Sequence, residues 1–162
     1  MGTVYAEIIL KNVGDIVKVK EALPGGQNIR EASVNAVVDT GAVTLVISEG
    51  VREKLGLEVL EIKEATLANN DKVICKVVEP VEIHWKKRSS VCRPWVIPGT
   101  EEILLGAIPL EDMDLMVDPR KQELSGRHGD EAVGMLYSVT RKKRPARVCS
   151  PAPARTSVTI EL

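Results

Sequence analysis

Apolar side chains recur at every second position in several short stretches of this chain, the spacing that places them on one face of an extended strand. Val34, Ala36 and Val38 share a face in the run from Ala32 to Val38, which leads directly into Asp39-Thr40-Gly41 and leaves the Asp39 carboxyl at a strand's end. Residues 4 to 10 predict a first strand, and Leu23-Pro24-Gly25-Gly26-Gln27-Asn28 predicts the turn before the second. After Asp39, the short apolar run Thr44 to Ile47 precedes a brief helix. Ser48 caps it, Val51 and Leu55 lie four residues apart on it, and Gly56 stops it.

Further strands are predicted at Glu58 to Ile62, Ala65 to Leu67 and Val73 to Val78, with Ala68-Asn69-Asn70-Asp71 as a hairpin turn. Asn and Asp tolerate left-handed backbone angles, so that turn closes without glycine. A second hairpin pairs Val81 to Trp85 with Val91 to Ile97 around the polar Lys86-Lys87-Arg88-Ser89-Ser90. Glu102 to Gly106 reads as a buried strand ending in glycine, and Pro109 opens one helical turn through Met113. Two short strands follow, near Leu115 to Val117 and Gln122 to Leu124. Beyond Thr140 the text becomes basic and then rich in Pro and Ala. We therefore expect a folded domain over residues 1–140 and a disordered tail over 141–162.

Composition sharpens this into an all-β reading. The chain has 162 residues, no Phe, two Trp and two Tyr, so its core rests on Val, Ile, Leu and Ala. A net charge of −1 supplies no field to gather nucleic acid or a membrane surface, and the basic run Arg141-Lys142-Lys143-Arg144 reads as a solvated tail. No apolar stretch approaches the roughly 20 residues a membrane span needs. Glu7 and Lys11 interrupt what a signal peptide would keep apolar, and a cytoplasmic location is expected.

Cys75, Cys92 and Cys149 are widely separated, without the paired spacing of a zinc or redox site, and are expected as reduced thiols. A thiol nucleophile served by His84 or His128 has no local support. Glu111, Asp112 and Asp114 lack a matching ligand set elsewhere, so neither a metal nor any other cofactor is expected.

Three landmarks in order remain: Val37-Val38-Asp39-Thr40-Gly41-Ala42, the hairpin Thr66 to Val73, and Ile103-Leu104-Leu105-Gly106-Ala107-Ile108-Pro109-Leu110. Together they resemble the retropepsin-like aspartic peptidases, the family of retroviral proteases and their cellular relatives, over roughly residues 30 to 125. The resemblance implies a closed β-barrel with one or two short helices, in which the Asp-Thr-Gly loops of two subunits meet at a two-fold axis. It implies Asp39 as the catalytic carboxylate and Thr40 and Gly41 as supports of the loop. The substrate-binding residues it implies are Ala42, Leu67, Ala68, Asn69, Asn70, Leu105 and Gly106, with Ala68 to Asp71 at the tip of a flap. Val43, Ile108 and Leu110 are looser candidates for the pocket lining.

Hydrolysis without a metal or a covalent intermediate calls for one group to deprotonate water and another to serve the carbonyl. The chain holds a single Asp-Thr-Gly, so the second carboxylate has to come from a second copy, which makes a homodimer acting on peptides the expectation. The two Asp39 side chains would share one proton, since neighbouring like charges do not both ionise cheaply. In place of the viral acid-base pair this chain has Val43-Thr44 and Ala107, a paired loss that leaves no buried charge unmatched and points towards cellular or prokaryotic relatives. Two other readings stand beside the enzyme: a dimeric module of the same fold that grips extended chains without cutting them, and a purely structural dimerisation domain.

Overall fold

The computed structural model describes residues 2–67 and 69–129. Ala68, Cys149, the boundary near residue 140 and the predicted tail lie outside the described residues. Strand β1 spans Tyr5–Asn12 and buries every second residue from Ala6 to Asn12, as period-two patterning requires. It pairs antiparallel with β2, Glu31–Val38, in the register Ile8 opposite Val34 and Ala6 opposite Ala36. Helix α1, Val13–Lys20, lies between them.

Sequence patterning did not anticipate α1, whose Val13, Ile16, Val17 and Val19 favour strands. It forms because buried Asn12 caps it: the Asn12 side chain accepts the Asp15 amide at 3.1 Å and donates to the Leu55 carbonyl at 2.9 Å. The described residues thus hold three short helices where one or two were expected.

The rest of the order is β3 Val46–Ile47, α2 Glu49–Leu55, β4 Val59–Thr66, β5 Lys72–Val78, β6 Val81–Trp85, β7 Arg88–Cys92, β8 Trp95–Val96, β9 Leu104–Leu105, α3 Ala107–Asp112, β10 Leu115–Asp118 and β11 Glu123–Gly126. Helix α2 is built as read: the Ser48 hydroxyl accepts the Val51 amide at 3.3 Å, and Gly56 ends it with φ +60°. The second hairpin is tighter than expected. Lys86, at φ +50°, and Lys87 alone make its turn, Arg88 opens β7 and is buried, and Pro94 divides the predicted Val91 to Ile97 strand into β7 and β8.

Strands β4-β5-β8-β3-β9-β2-β1-β6-β7 form one sheet in that order, with β10-β11 as a separate pair. Buried residues of β1, β2, β3, β6, β8 and β9 belong to a single apolar cluster with Leu55 of α2 and Leu110 of α3, so the sheet curls about one core. The fold is mostly β. Its ladder runs from β4 to β7 without a pairing that joins those two ends among the described residues, so the closed barrel is not reproduced by strand pairing here. Among the described residues no helix is long and apolar enough to cross a membrane.

Candidate active site

Strand β2 lies between β1 and β9, and its pairing with β9 is parallel, Val37 beside Leu104 and Val38 beside Leu105. That ladder delivers Asp39 to a fixed place. The Asp39 amide donates to the Leu105 carbonyl at 3.0 Å, and the preceding Val38 amide donates to Val4 at 2.8 Å. Past the strand end the chain turns back on itself: the Ala42 amide donates to the Asp39 carbonyl at 3.1 Å, and the Gly41 amide to Asp39 Oδ1 at 2.8 Å. One carboxylate oxygen is therefore tied into the loop, while Asp39 stays half-buried and Thr40 and Gly41 are exposed.

Helix α3 holds the far side of this loop. Its first amides, Ala107 and Ile108, donate to the carbonyls of Ala42 and Val43 at 2.8 and 3.0 Å. Contact this close requires Gly106, because a β-carbon there would stand 2.3 Å from the Thr44 carbonyl oxygen and 2.6 Å from that of Ala42.

Asp39 borders a cleft of about 450 Å³ whose walls include Ala42, Val43, Thr44, Leu67, Trp95 and Leu104. No other ionisable side chain lines it among the described residues. On the Thr40 side Asp39 also borders a second hollow of about 480 Å³, walled by Thr3, Val4, Val37 and Val117.

The hairpin β4–β5 reaches the same cleft through Ala65, Thr66 and Leu67. Its tip is closed by Leu67 and Asp71, amide to carbonyl at 2.8 Å, and by Asn70, which takes the left-handed angle the turn needs at φ +66°. The Asn69 side chain accepts the Asp71 amide at 3.1 Å and donates to the Asp71 carboxylate at 2.6 Å.

Of the residues expected to bind substrate, Ala42 and Leu67 line the cleft, and Asn69 and Asn70 stand exposed at the hairpin tip. Leu105 is fully buried, and it is Leu104 whose side chain reaches the cleft, because successive strand residues face opposite ways. Gly106 spaces the loop from α3. Among the looser candidates Val43 is a wall, Ile108 is exposed beside it, and Leu110 belongs to the core. Patterning overlooked Trp95 and Ile97, although a signal was present: they alternate about buried Val96, and both line the cleft.

The alternative nucleophiles lie elsewhere. Burial pushes the Cys75 thiol up. Burial also pushes up Cys92, on β7, against the opposing hydrogen bonds of Thr44 and Leu45, so neither cysteine is poised as a thiolate. His84 sits 3.0 Å from Glu82, and His128 sits 2.8 Å from Asp114, a contact that holds the Asp114 carboxyl below its usual range. Neither histidine borders the cleft. Among the described residues no three His, Cys, Asp or Glu side chains gather as a metal site.

A sequence profile of the family described as Aspartyl protease matches residues 27–108, just over half of the chain, from the approach to β2 into the first turn of α3. No sequence among curated proteins matches. Solved structures with a similar fold include EIAV protease complexed with the inhibitor HBY-793, at 18% identity and TM-score 0.43, the alignment covering 68% of this chain and 88% of that one. The retroviral protease-like domain of Ddi1 from Leishmania major is similar at 14% identity and TM-score 0.48, with 82% and 91% covered. A retropepsin-like aspartic protease from Rickettsia conorii is similar at 20% identity and TM-score 0.39, with 73% and 89% covered.

Proposed function

The chain belongs to the aspartyl protease family, and from that membership we propose that it is an aspartic endopeptidase whose site is completed when two copies bring their Asp39 side chains together. The observation that supports this best is the isolation of Asp39. It stands at the mouth of an apolar cleft, held by one oxygen, with no second acid lining the cleft among the described residues. A water-activating mechanism needs a group to deprotonate water and another to serve the carbonyl, and a two-fold axis beside exposed Thr40 supplies a second carboxyl without a second triplet.

In the assembled site the ionised Asp39 takes a proton from water while its protonated twin donates to the peptide carbonyl. Water adds to the carbonyl carbon to give a tetrahedral intermediate. Its collapse breaks the C–N bond as the leaving nitrogen takes a proton from the dyad. Thr40 ties the two loops across the axis, and the hollow walled by Thr3, Val4 and Val117 receives the partner copy. The hairpin β4–β5 is the flap, with Leu67 and its neighbours pressing an extended peptide into the cleft.

Incubating the purified protein with a mixed peptide library from mildly acidic to neutral pH, beside Asp39→Asn, tests the reading. Cleavage by the parent alone is expected, with the rate of the variant lower by about 10³-fold or more. Equal peptide binding by both without cleavage would make the chain a binding module. Sedimentation of the same samples is expected to show a dimer, and an active, strictly monomeric protein would overturn the shared-carboxylate site.

A further inference from the structure

Arg88 is 2% exposed, yet it follows the two turn lysines of the β6–β7 hairpin. Its guanidinium donates from Nη1 to the Met113 carbonyl at 2.6 Å and the Asp114 carbonyl at 3.3 Å, and from Nη2 to the Gly129 carbonyl at 2.7 Å. The Asp114 carboxylate stands 3.6 Å from Nη1 and is itself paired with His128. A β-carbon on Gly126 would fall 2.3 Å from Nη2, so only glycine lets β11 end over the guanidinium. Burying a permanent cation this completely is costly unless acceptors face it, and here three carbonyls and a carboxylate meet Nη1 and Nη2 while buried Nε has no hydrogen-bond partner among the described residues.

What that cluster grips is the end of α3. Met113 caps the helix, and Asp114 follows it in a left-handed conformation at φ +52°. The other end of α3 holds the Asp39 loop through the Ala107 and Ile108 amides, and the residue before Gly106 supplies the carbonyl that receives the Asp39 amide. The six residues of α3 rise only about 9 Å, so an anchor at its exit bears closely on the carbonyls of Ala42 and Val43 at its entrance.

We propose that Arg88 is a positioning residue for the catalytic loop, holding the loop in place through α3 without touching substrate. Arg88 supplies a cation from β7 to the end of α3 opposite the Asp39 loop. The inference rests on Asp39 as the catalytic carboxylate, and its test separates the two.

Arg88→Lys keeps a buried cation but loses the planar fork that spans several carbonyls at once, and Arg88→Met removes the cation. Amide hydrogen exchange is measured in both variants and the parent, alongside peptide cleavage. In Arg88→Lys the Ala107 and Ile108 amides are expected to exchange at least tenfold faster. The amides of Asn12 and Val78, bonded to Arg30 and Pro94 outside both α3 and the Asp39 loop, are expected to keep their protection. Cleavage should show kcat down about tenfold with KM within twofold, and Arg88→Met should show the same changes more strongly. If Arg88→Met does not fold, Arg88→Lys alone decides. Unchanged Ala107 and Ile108 exchange, or equal acceleration at all four amides, would overturn the proposal, the second outcome marking Arg88 as a general stabiliser. A parent that cleaves nothing counts against the Asp39 reading, while the exchange pattern still decides whether Arg88 holds the loop.

Discussion

Gly106 and Thr44 approach so closely that a β-carbon on the glycine would lie 2.3 Å from the threonine's carbonyl oxygen. Both partners are backbone, so neither can swing aside, and Gly106→Ala must push α3 away from the Asp39 loop. A cost of about 1–3 kcal/mol is expected from overpacking. Thermal unfolding should show it as a lower Tm. Peptide cleavage in the folded fraction should fall by at least tenfold, because the displaced helix carries the Ala107 and Ile108 amides that hold the Asp39 loop. A variant with parental Tm and parental turnover would show that the contact relaxes freely.

Asp15 gives the fold an acid-sensitive point. Its carboxylate is buried and takes Arg30 in a fork, Nε at 2.6 Å and Nη2 at 2.8 Å, with the Arg30 amide at 3.1 Å. The hydrogen bonds from Arg30 hold the carboxyl below its ordinary value of 3.8 despite burial. A depressed folded value means that the stabilisation is complete above that ordinary value and is lost as the pH falls through the lower folded one. Asp15→Asn is expected to cost about 1.5–3 kcal/mol near neutrality, the worth of hydrogen bonds to a charged group. It should also flatten the fall of Tm below about pH 4. Parallel Tm curves for parent and variant across that range would remove Asp15 from the acid response.

Asn70 adopts φ +66° at the tip of the β4–β5 hairpin. A β-branched side chain is strained at that angle, by about 1–2 kcal/mol, whereas glycine is not. Asn70→Val is therefore expected to lower kcat/KM several-fold with Tm within about 3 °C of the parent, since the tip is exposed and the strain is local. Asn70→Gly should retain parental cleavage. Stopped-flow and steady-state measurements on the pair check this, and equal rates for Val and Gly would show that tip geometry does not govern closure.

Trp95 is held on both sides, beside Val46 of β3 and Val77 of β5, and its ring borders the cleft among smaller neighbours such as Ala42 and Ala65. Trp95→Ala should widen the cleft and shift it towards larger side chains. Peptides with a small aliphatic residue at the affected position should lose about tenfold in kcat/KM, in keeping with the roughly 1–3 kcal/mol that a change in apolar pocket contacts is worth. Peptides with an aromatic residue there should gain. Profiling one library with both proteins reads this directly, and an unchanged preference would show that Trp95 does not set it.

Where structure follows from neighbours in the chain, the sequence was readable. Ser48 and Gly56 bracket α2 because a cap and a left-handed stop are local devices, and the strand into Asp39 shows its period within a few residues. Asn70 closes its turn for the same reason. Arg88 was hidden because its acceptors, Met113, Asp114 and Gly129, come from later elements, while its chain neighbours, Lys86 and Lys87, mark a solvated turn. Helix α1 was hidden because its β-branched residues favour strands, and the Asn12 cap that outweighs them is fixed in place by a tertiary hydrogen bond to Leu55. The choice of Leu104 over Leu105 as the cleft residue depends on knowing which face of β9 meets the loop, and a two-residue strand carries no period to reveal it.

The parallel match of β2 with β9 has a consequence for the order of events during synthesis. A growing chain displays the Asp39 triplet long before Leu105 emerges, and until then the Asp39 amide has no carbonyl to receive it. Pairing between such distant segments is slow, since a long loop must be closed before any contact rewards it. A chain grown only as far as β5 thus carries the Asp39 triplet without the shape that gives it meaning, and the fold's connectivity itself delays the candidate site until β9 has emerged.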